Sequence, residues 1–221
     1  MQLAKPALDV GLYTNNLEEI LAFWQNEAHV PFSELLALGG GVRQYRHAVG
    51  DSVIKINHSR ERIDTGQPTG LKALRLFNDH VSQPTDLRDP DGNLLQLCPS
   101  EKNRNLTLTL ITPNVQAQQD FYGGTLGLTE LAESSFAVGA STITLLEGEL
   151  HPFERAGTGF RYMTFQVFDV VAEHQAALQK GGAEGMAPIK LGEVAYISFI
   201  KDADQNWLEI SQRKSITGSL D

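Results

Sequence analysis

Polar and apolar residues alternate along Asp9-Val10-Gly11-Leu12-Tyr13-Thr14, which predicts a short strand with Val10, Leu12 and Thr14 on one face and Asp9, Gly11 and Tyr13 on the other. The period then lengthens. Leu17, Ile20, Leu21 and Trp24 form one stripe at helical spacing, and Asn16 followed by Glu19 has the form of a capping box. Beyond the Gly39-Gly40-Gly41 break, residues 42–49 and 52–57 read as a hairpin turning at Gly50-Asp51. The order is strand, helix, strands.

That order returns. A strand over 106–112 precedes a helix beginning at Asn114 and a hairpin near Gly139. Next comes Tyr162–Val167, with Met163, Phe165 and Val167 on one face; Asp169 caps a helix through Lys180 that Gly181-Gly182 ends, and strands follow over 194–200 and 206–212. Three segment pairs recur in the same order. Asn16–Trp24 matches Asn114–Tyr122, Ala48–Ser52 matches Ala137–Ser141, and Asp89-Pro90-Asp91-Gly92-Asn93 matches Asp202-Ala203-Asp204-Gln205-Asn206. Chance similarity of a single turn does not produce an ordered series, so the chain is internally duplicated. Leu71 lies 18 positions before Asp89, whereas Tyr162 lies 40 before Asp202, so the earlier stretch lacks room for a helix. The expectation is three βαβββ modules and one reduced module: an α+β fold of two curved mixed sheets with helices on their outer faces. Residues 1–102 form the first half, 103–213 the second, and 214–221 a tail.

With 221 residues, 41% hydrophobic and 20% charged, the composition suits a globular protein with one large or two modest cores. The net charge of -9 argues against a nucleic-acid surface, which needs clustered Lys and Arg. No apolar run reaches membrane-spanning length and the first residues carry no apolar signal core, so a cytoplasmic location without membrane association is expected. The single Cys98 permits no internal disulfide and reads as a small half-buried hydrophobe.

Leu8–Trp24, Thr107–Leu128, Tyr162–Gly182 and the two Asp-x-Asp-x-Asn turns together resemble the vicinal oxygen chelate superfamily of glyoxalases, bleomycin-resistance proteins and extradiol dioxygenases. The resemblance implies that pairs of βαβββ modules curve around a cup holding one divalent metal, with ligands on the first and last strand of each module. Carried over by position, the first half offers Asp9, Lys55, Leu71 and Gln96, and the second Thr107, Thr144, Tyr162 and Glu209. A catalytic metal needs about three N or O donors and an open position. Asp9, Gln96 and Glu209 retain oxygen donors at these positions and are the weak candidates; Lys55 and Leu71 are not ligands. The six His residues do not supply the deficit: His174 lies on the apolar side of a helix, His47 points away from the expected cup, and His29, His58, His80 and His151 fall in turns or at strand ends. A metal cofactor is therefore compatible with the resemblance and unsupported by the ligand positions.

Alternation assigns Asp9, Tyr13, Arg46, Lys55, Arg75, Gln96 and Cys98 to a basic first cup suited to an anionic ligand, with an Asp9–Lys55 pair as the structural alternative. It assigns Thr109, Thr144, Tyr162, Thr164, Gln166, Trp207 and Glu209 to a second cup suited to a neutral or aromatic molecule, with plain packing as its alternative. Three functions stay open: a metal-dependent lyase or dioxygenase, a metal-independent enzyme using Glu209 with Tyr162 or Asp9 with Lys55, and a binding module that sequesters a small molecule. Open sheet edges and the reduced module leave room for a homodimer.

Overall fold

The computed structural model describes residues 1–132 and 134–220. Its modules follow the expected series. The first holds β1 (Leu3–Thr14), α1 (Leu17–Ala22), β2 (Phe32–Gly39), β3 (Val42–Val49) and β4 (Ser52–Ser59); the second holds only β5 (Leu71–Asn78), β6 (Thr85–Arg88) and β7 (Leu94–Pro99). The third holds β8 (Leu106–Thr112), α2 (Val115–Gln119), β9 (Glu130–Ala132), β10 (Ser135–Val138) and β11 (Ser141–Glu147). The fourth holds β12 (Gly159–Val167), α3 (Val170–Gln179), β13 (Ala183–Leu191), β14 (Ala195–Lys201) and β15 (Trp207–Arg213), with a short α4 (Lys214–Thr217) after it. The second module lacks the helix its length could not hold.

The modules do not pair within halves. One sheet has eight strands in the order β13-β14-β15-β12-β1-β4-β3-β2, and the other seven in the order β6-β7-β5-β8-β11-β10-β9. The first module therefore joins the fourth through antiparallel β1 and β12, and the second joins the third through β5 and β8. This corrects the expected composition of both cups. The cause lies in side chains that a repeat pattern does not rank: buried polar partners facing each other across the β1/β12 seam. Lys55 meets Thr164 and Glu209, Asn57 and Gln44 meet Tyr162, and Gln166 meets Asp9. A pairing within halves would separate these partners, and a polar group left buried and unpaired costs about 1–3 kcal/mol.

Alternation then sets the layers. In β1 the side chains of Leu8, Val10 and Leu12 are fully buried in a core shared with Met163, Phe165, Ile54 and Ile56, while Asp9, Gly11 and Tyr13 face the concave side. Trp24 and Tyr122, the aromatic residues of the repeated helix segment, are both fully buried in that core. Their helices begin differently. Asn114 accepts a capping bond from Ala117 N and Asp169 one from Ala172 N, but Asn16 makes no side-chain cap, which corrects the capping-box expectation. Its amide instead donates to Asp91 in the turn of the second module.

The duplicated turns clasp the sheets together. Asp89 accepts from the backbone N–H groups of Asp91 and Asn93 and from the Asn93 side chain; Asp202 accepts the same set from Asp204 and Asn206. Each Asn is thereby held with its carbonyl oxygen aimed at the other sheet. Asn93 Oδ1 accepts from Phe160 N at 3.1 Å, and Asn206 Oδ1 from Gly70 N at 2.8 Å. A Cβ at Gly70 or Gly159 would approach these Asn side chains to 2.7 and 2.9 Å, so both strand starts need glycine. Burial outweighs the donors and raises both turn carboxyls, Asp89 and Asp202, to about 6.

Candidate functional site

The eight-stranded sheet curls around a cavity of about 650 Å³. Strands β1, β3, β4, β12 and β15 form its floor, and β2, β13 and β14 its walls. On the floor, Lys55 donates 2.8 Å hydrogen bonds to Thr164 Oγ1 and Glu209 Oε2, and Thr164 in turn donates to the same carboxylate oxygen at 2.8 Å. Lys55 is 2% and Glu209 8% exposed, so the pair is nearly dry. Burial pushes the Lys55 ammonium down and neighbouring Arg46 adds to this, against the opposing pull of Glu209 and Asp9.

Tyr162 lies beside the triad with its ring on the β1 backbone at Gly11, where any Cβ would come within 2.1 Å of the ring. Asn57 and Gln44 both donate to its hydroxyl, at 3.1 and 3.3 Å, leaving the phenol proton without an acceptor among the described residues. Burial, with Glu209 and Tyr13 second to it, raises its pKa well above the ordinary value, so the group is a donor and not a base at neutral pH.

Two guanidinium groups stand above the floor. Arg46 Nε lies 3.4 Å from Glu34 Oε2, and Arg213 Nη2 lies 3.3 Å from Glu34 Oε1, so one half-buried carboxylate bridges both. The Arg213 Nε is buried without a partner among the described residues. At the mouth, Arg155 lies over the rings of Phe199 and Trp207 at 5.5 and 5.1 Å. Arg46, Lys55, Arg155, Lys190 and Arg213 all line this cavity, with Glu209 the one lining carboxylate among the described residues. The remaining wall is apolar, chiefly Leu36, Leu38, Met186, Ile189, Leu191 and Ile197.

The expected site residues separate accordingly. Arg46, Lys55, Tyr162 and Glu209 converge here, drawn from both halves of the chain. Asp9 is fully buried below the lining, bound by Lys5, Val53 N and Gln166, so Lys5 and not Lys55 is its salt-bridge partner. Trp207 meets the ring of Phe199 edge-on at 5.7 Å, behind the cavity lining to which Phe199 belongs. Arg75 and Gln96 lie in a separate cleft of about 490 Å³ in the seven-stranded sheet, where Arg75 donates to Gln96 and Gln96 to Asp86. Thr144 belongs to that same sheet, where its hydroxyl meets Ser135. Cys98 is buried on β7, more deeply than its sequence suggests, and its thiol pKa is raised by that burial. His47 bonds Val30 O from the far side of the sheet, and His174 is buried beside Glu184.

Sequence reasoning missed Arg213, Gln44 and Arg155. Arg213 was within reach, because Glu209, Ser211 and Arg213 alternate on one face of β15. Arg155 carries no periodic signal, since it lies in the loop before β12.

A divalent metal does not fit these donors. The position between the central strands is filled by the Lys55 ammonium, which already engages Glu209 and Thr164, and among the described residues no three His, Cys, Asp or Glu side chains are grouped to hold a metal ion. No described helix is long and apolar enough to cross a membrane.

Residues 106–210 match the model of the Glyoxalase/Bleomycin resistance protein/Dioxygenase superfamily. Glyoxalase I from Zea mays superposes with a TM-score of 0.76 at 12% identity, covering 96% of this chain and 92% of that one. A putative dioxygenase from Bacillus subtilis gives 0.70 at 10% identity, covering 96% and 85%, and the cppA protein from Streptococcus pneumoniae gives 0.59 at 12% identity, covering 96% and 98%. At these identities the likeness is one of fold. No curated protein matches the chain by sequence.

Proposed function

Starting from a chain with the fold of the vicinal oxygen chelate superfamily, whose residues 106–210 match its glyoxalase/bleomycin resistance/dioxygenase model, we propose that the eight-stranded cup takes a small amphipathic organic anion without a metal. The observation that carries this reading is the convergence of Arg46, Lys55, Arg155 and Arg213 on one cavity in a chain of net charge -9. Glu34, held between Arg46 and Arg213, supports a carboxylate as the group these two guanidinium groups would accept from a ligand.

In this reading the anionic head replaces or joins Glu34 at the two arginines, and the unpartnered Arg213 Nε supplies a further donor. Lys55 provides the fixed cation on the floor. Tyr162 offers its phenol proton to a ligand oxygen, and the apolar wall from β2, β13 and β14 takes an alkyl or aryl body. A thermal-shift series of aliphatic and aromatic carboxylates, phosphate and their neutral amides tests it, because a ligand bound only by the folded state raises the Tm. Carboxylates with an apolar body should stabilise and their amides should not. Equal shifts for amide and acid would sink the anionic assignment.

A further inference from the structure

We propose that Lys55 is a nucleophilic amine that condenses with the carbonyl group of a small keto acid held in the eight-stranded cup, giving a protonated imine. The inference rests on the anion-binding reading of that cavity and goes beyond it by assigning covalent chemistry.

An amine that attacks a carbonyl must lose a proton first, and a neighbouring group must carry that proton to the departing oxygen. Lys55 is placed for both. Its Nζ lies 2.8 Å from Glu209 Oε2, and the Thr164 hydroxyl, 2.8 Å from each of them, closes a three-membered hydrogen-bonded ring. The groups facing Lys55 are Asp9 from β1, Arg46 from β3, Tyr162 from β12 and Glu209 from β15. Arg46 is its cross-strand partner, so a fixed positive charge stands beside the ammonium. Burial is the larger influence in this direction, favouring the neutral amine, while Glu209 and Asp9 pull the other way. A buried lysine serving structure alone would have no need of a cavity wall, yet this one lines it.

The substrate's position follows from the anchors. In this proposal a carboxylate held by Arg46 and Arg213 presents its neighbouring carbonyl to Lys55 and the Tyr162 phenol, which line the same cavity. The steps balance. Glu209 takes one proton from the ammonium, and the nitrogen lone pair forms the C–N bond while the carbonyl pair moves to oxygen. A second proton passes from nitrogen to that oxygen, and Glu209 returns the first to it. The C–O bond breaks, water leaves, and a protonated C=N remains. No oxidant or reductant takes part.

The experiment incubates the protein with pyruvate or phenylpyruvate and sodium cyanoborohydride, which reduces an imine to a stable secondary amine, and reads intact mass and a peptide map. One adduct on Lys55 is expected; Lys55→Arg, which keeps the charge, should lose it, and Glu209→Gln should form it about 100-fold more slowly. Peptide mapping of the unaltered protein locates the bond even where a variant fails to fold. Adducts spread over surface lysines, or none at all, would overturn the proposal. Phenyllactate, which has a hydroxyl in place of the keto group, separates the two ideas: stabilisation by phenyllactate with no Lys55 adduct from phenylpyruvate defeats the imine and leaves the anion site standing. If neither compound binds, both readings fall.

Discussion

Lys55 in the eight-stranded cup and Thr144 in the seven-stranded cup occupy equivalent positions. Each lies three residues after the serine that follows the repeated Ala-Val-Gly turn, and each pairs with the first strand of its module, beside Gly11 and Thr109 respectively. Glu209 and Gln96 correspond in the same way, beside Thr164 and Arg75. One duplicated frame thus holds a dry ion pair under a deep cavity, and the other an amide and an exposed arginine in a shallow cleft. Module completeness explains the depth. The eight-stranded cup has four strands on each side of its seam, while the second module contributes three, one of them only four residues long, so its wall is low and its polar groups stay wet. Charge is useful for gripping an anion where water is excluded, because water screens it elsewhere.

The largest expected break in this comparison is Lys55→Met. Stranding Glu209 should cost about 3–5 kcal/mol in urea denaturation, and Lys55→Met with Glu209→Leu should recover most of that loss. Thr144→Val at the equivalent position should cost under about 1 kcal/mol, the worth of one ordinary hydrogen bond. A comparable loss at both sites would mean that the cups do not differ in dryness.

Next in size is the effect on binding. Arg46→Ala should weaken an apolar carboxylate about 30-fold or more in calorimetry, the lower end for a buried charge contact, and Arg75→Ala should leave it unchanged. The reverse result would move the ligand to the seven-stranded cleft. Gly11→Ala should then cost about 1–3 kcal/mol, since the added Cβ meets the Tyr162 ring at 2.1 Å, and should lower ligand affinity by displacing the phenol. Thr109→Ala, which opens space without a clash, should cost less than Gly11→Ala. The smallest contrast concerns the clasps: Asn206→Ala should lose about 2 kcal/mol and Asn93→Ala about 1 kcal/mol, because Asn206 is fully buried and Asn93 only half. Equal losses would show that burial does not set the value of the clasp.

Much of the fold could be read along the chain. The change of period after Thr14, the Gly50-Asp51 and Gly139 turns, and the Asp169 cap are local signals set by neighbours a few residues apart, and β3, β4, β8 and α3 fall where those signals place them. The missing helix of the second module was a matter of counting. Strand β13 was not expected, because its polar and apolar residues do not alternate cleanly on an exposed sheet edge.

The site was legible only in pieces. Alternation supplied Arg46, Lys55, Tyr162 and Glu209 as inward-facing residues, but divided them between two cups. Nothing in a repeat says which copy pairs with which, since every module's first strand offers a similar hydrogen-bonding edge.

The sequence by itself therefore determined the modules, their order, the reduced second copy and the face that β1, β3, β4, β12 and β15 turn inward, because period, caps and turns act over short range. Only the tertiary structure decided that the first module meets the fourth. That choice makes Lys55 the partner of Glu209 and leaves Asp9 to Lys5. The physical reason is the cost of leaving buried polar groups unpaired, a long-range condition that is met only when residues about 150 positions apart come together.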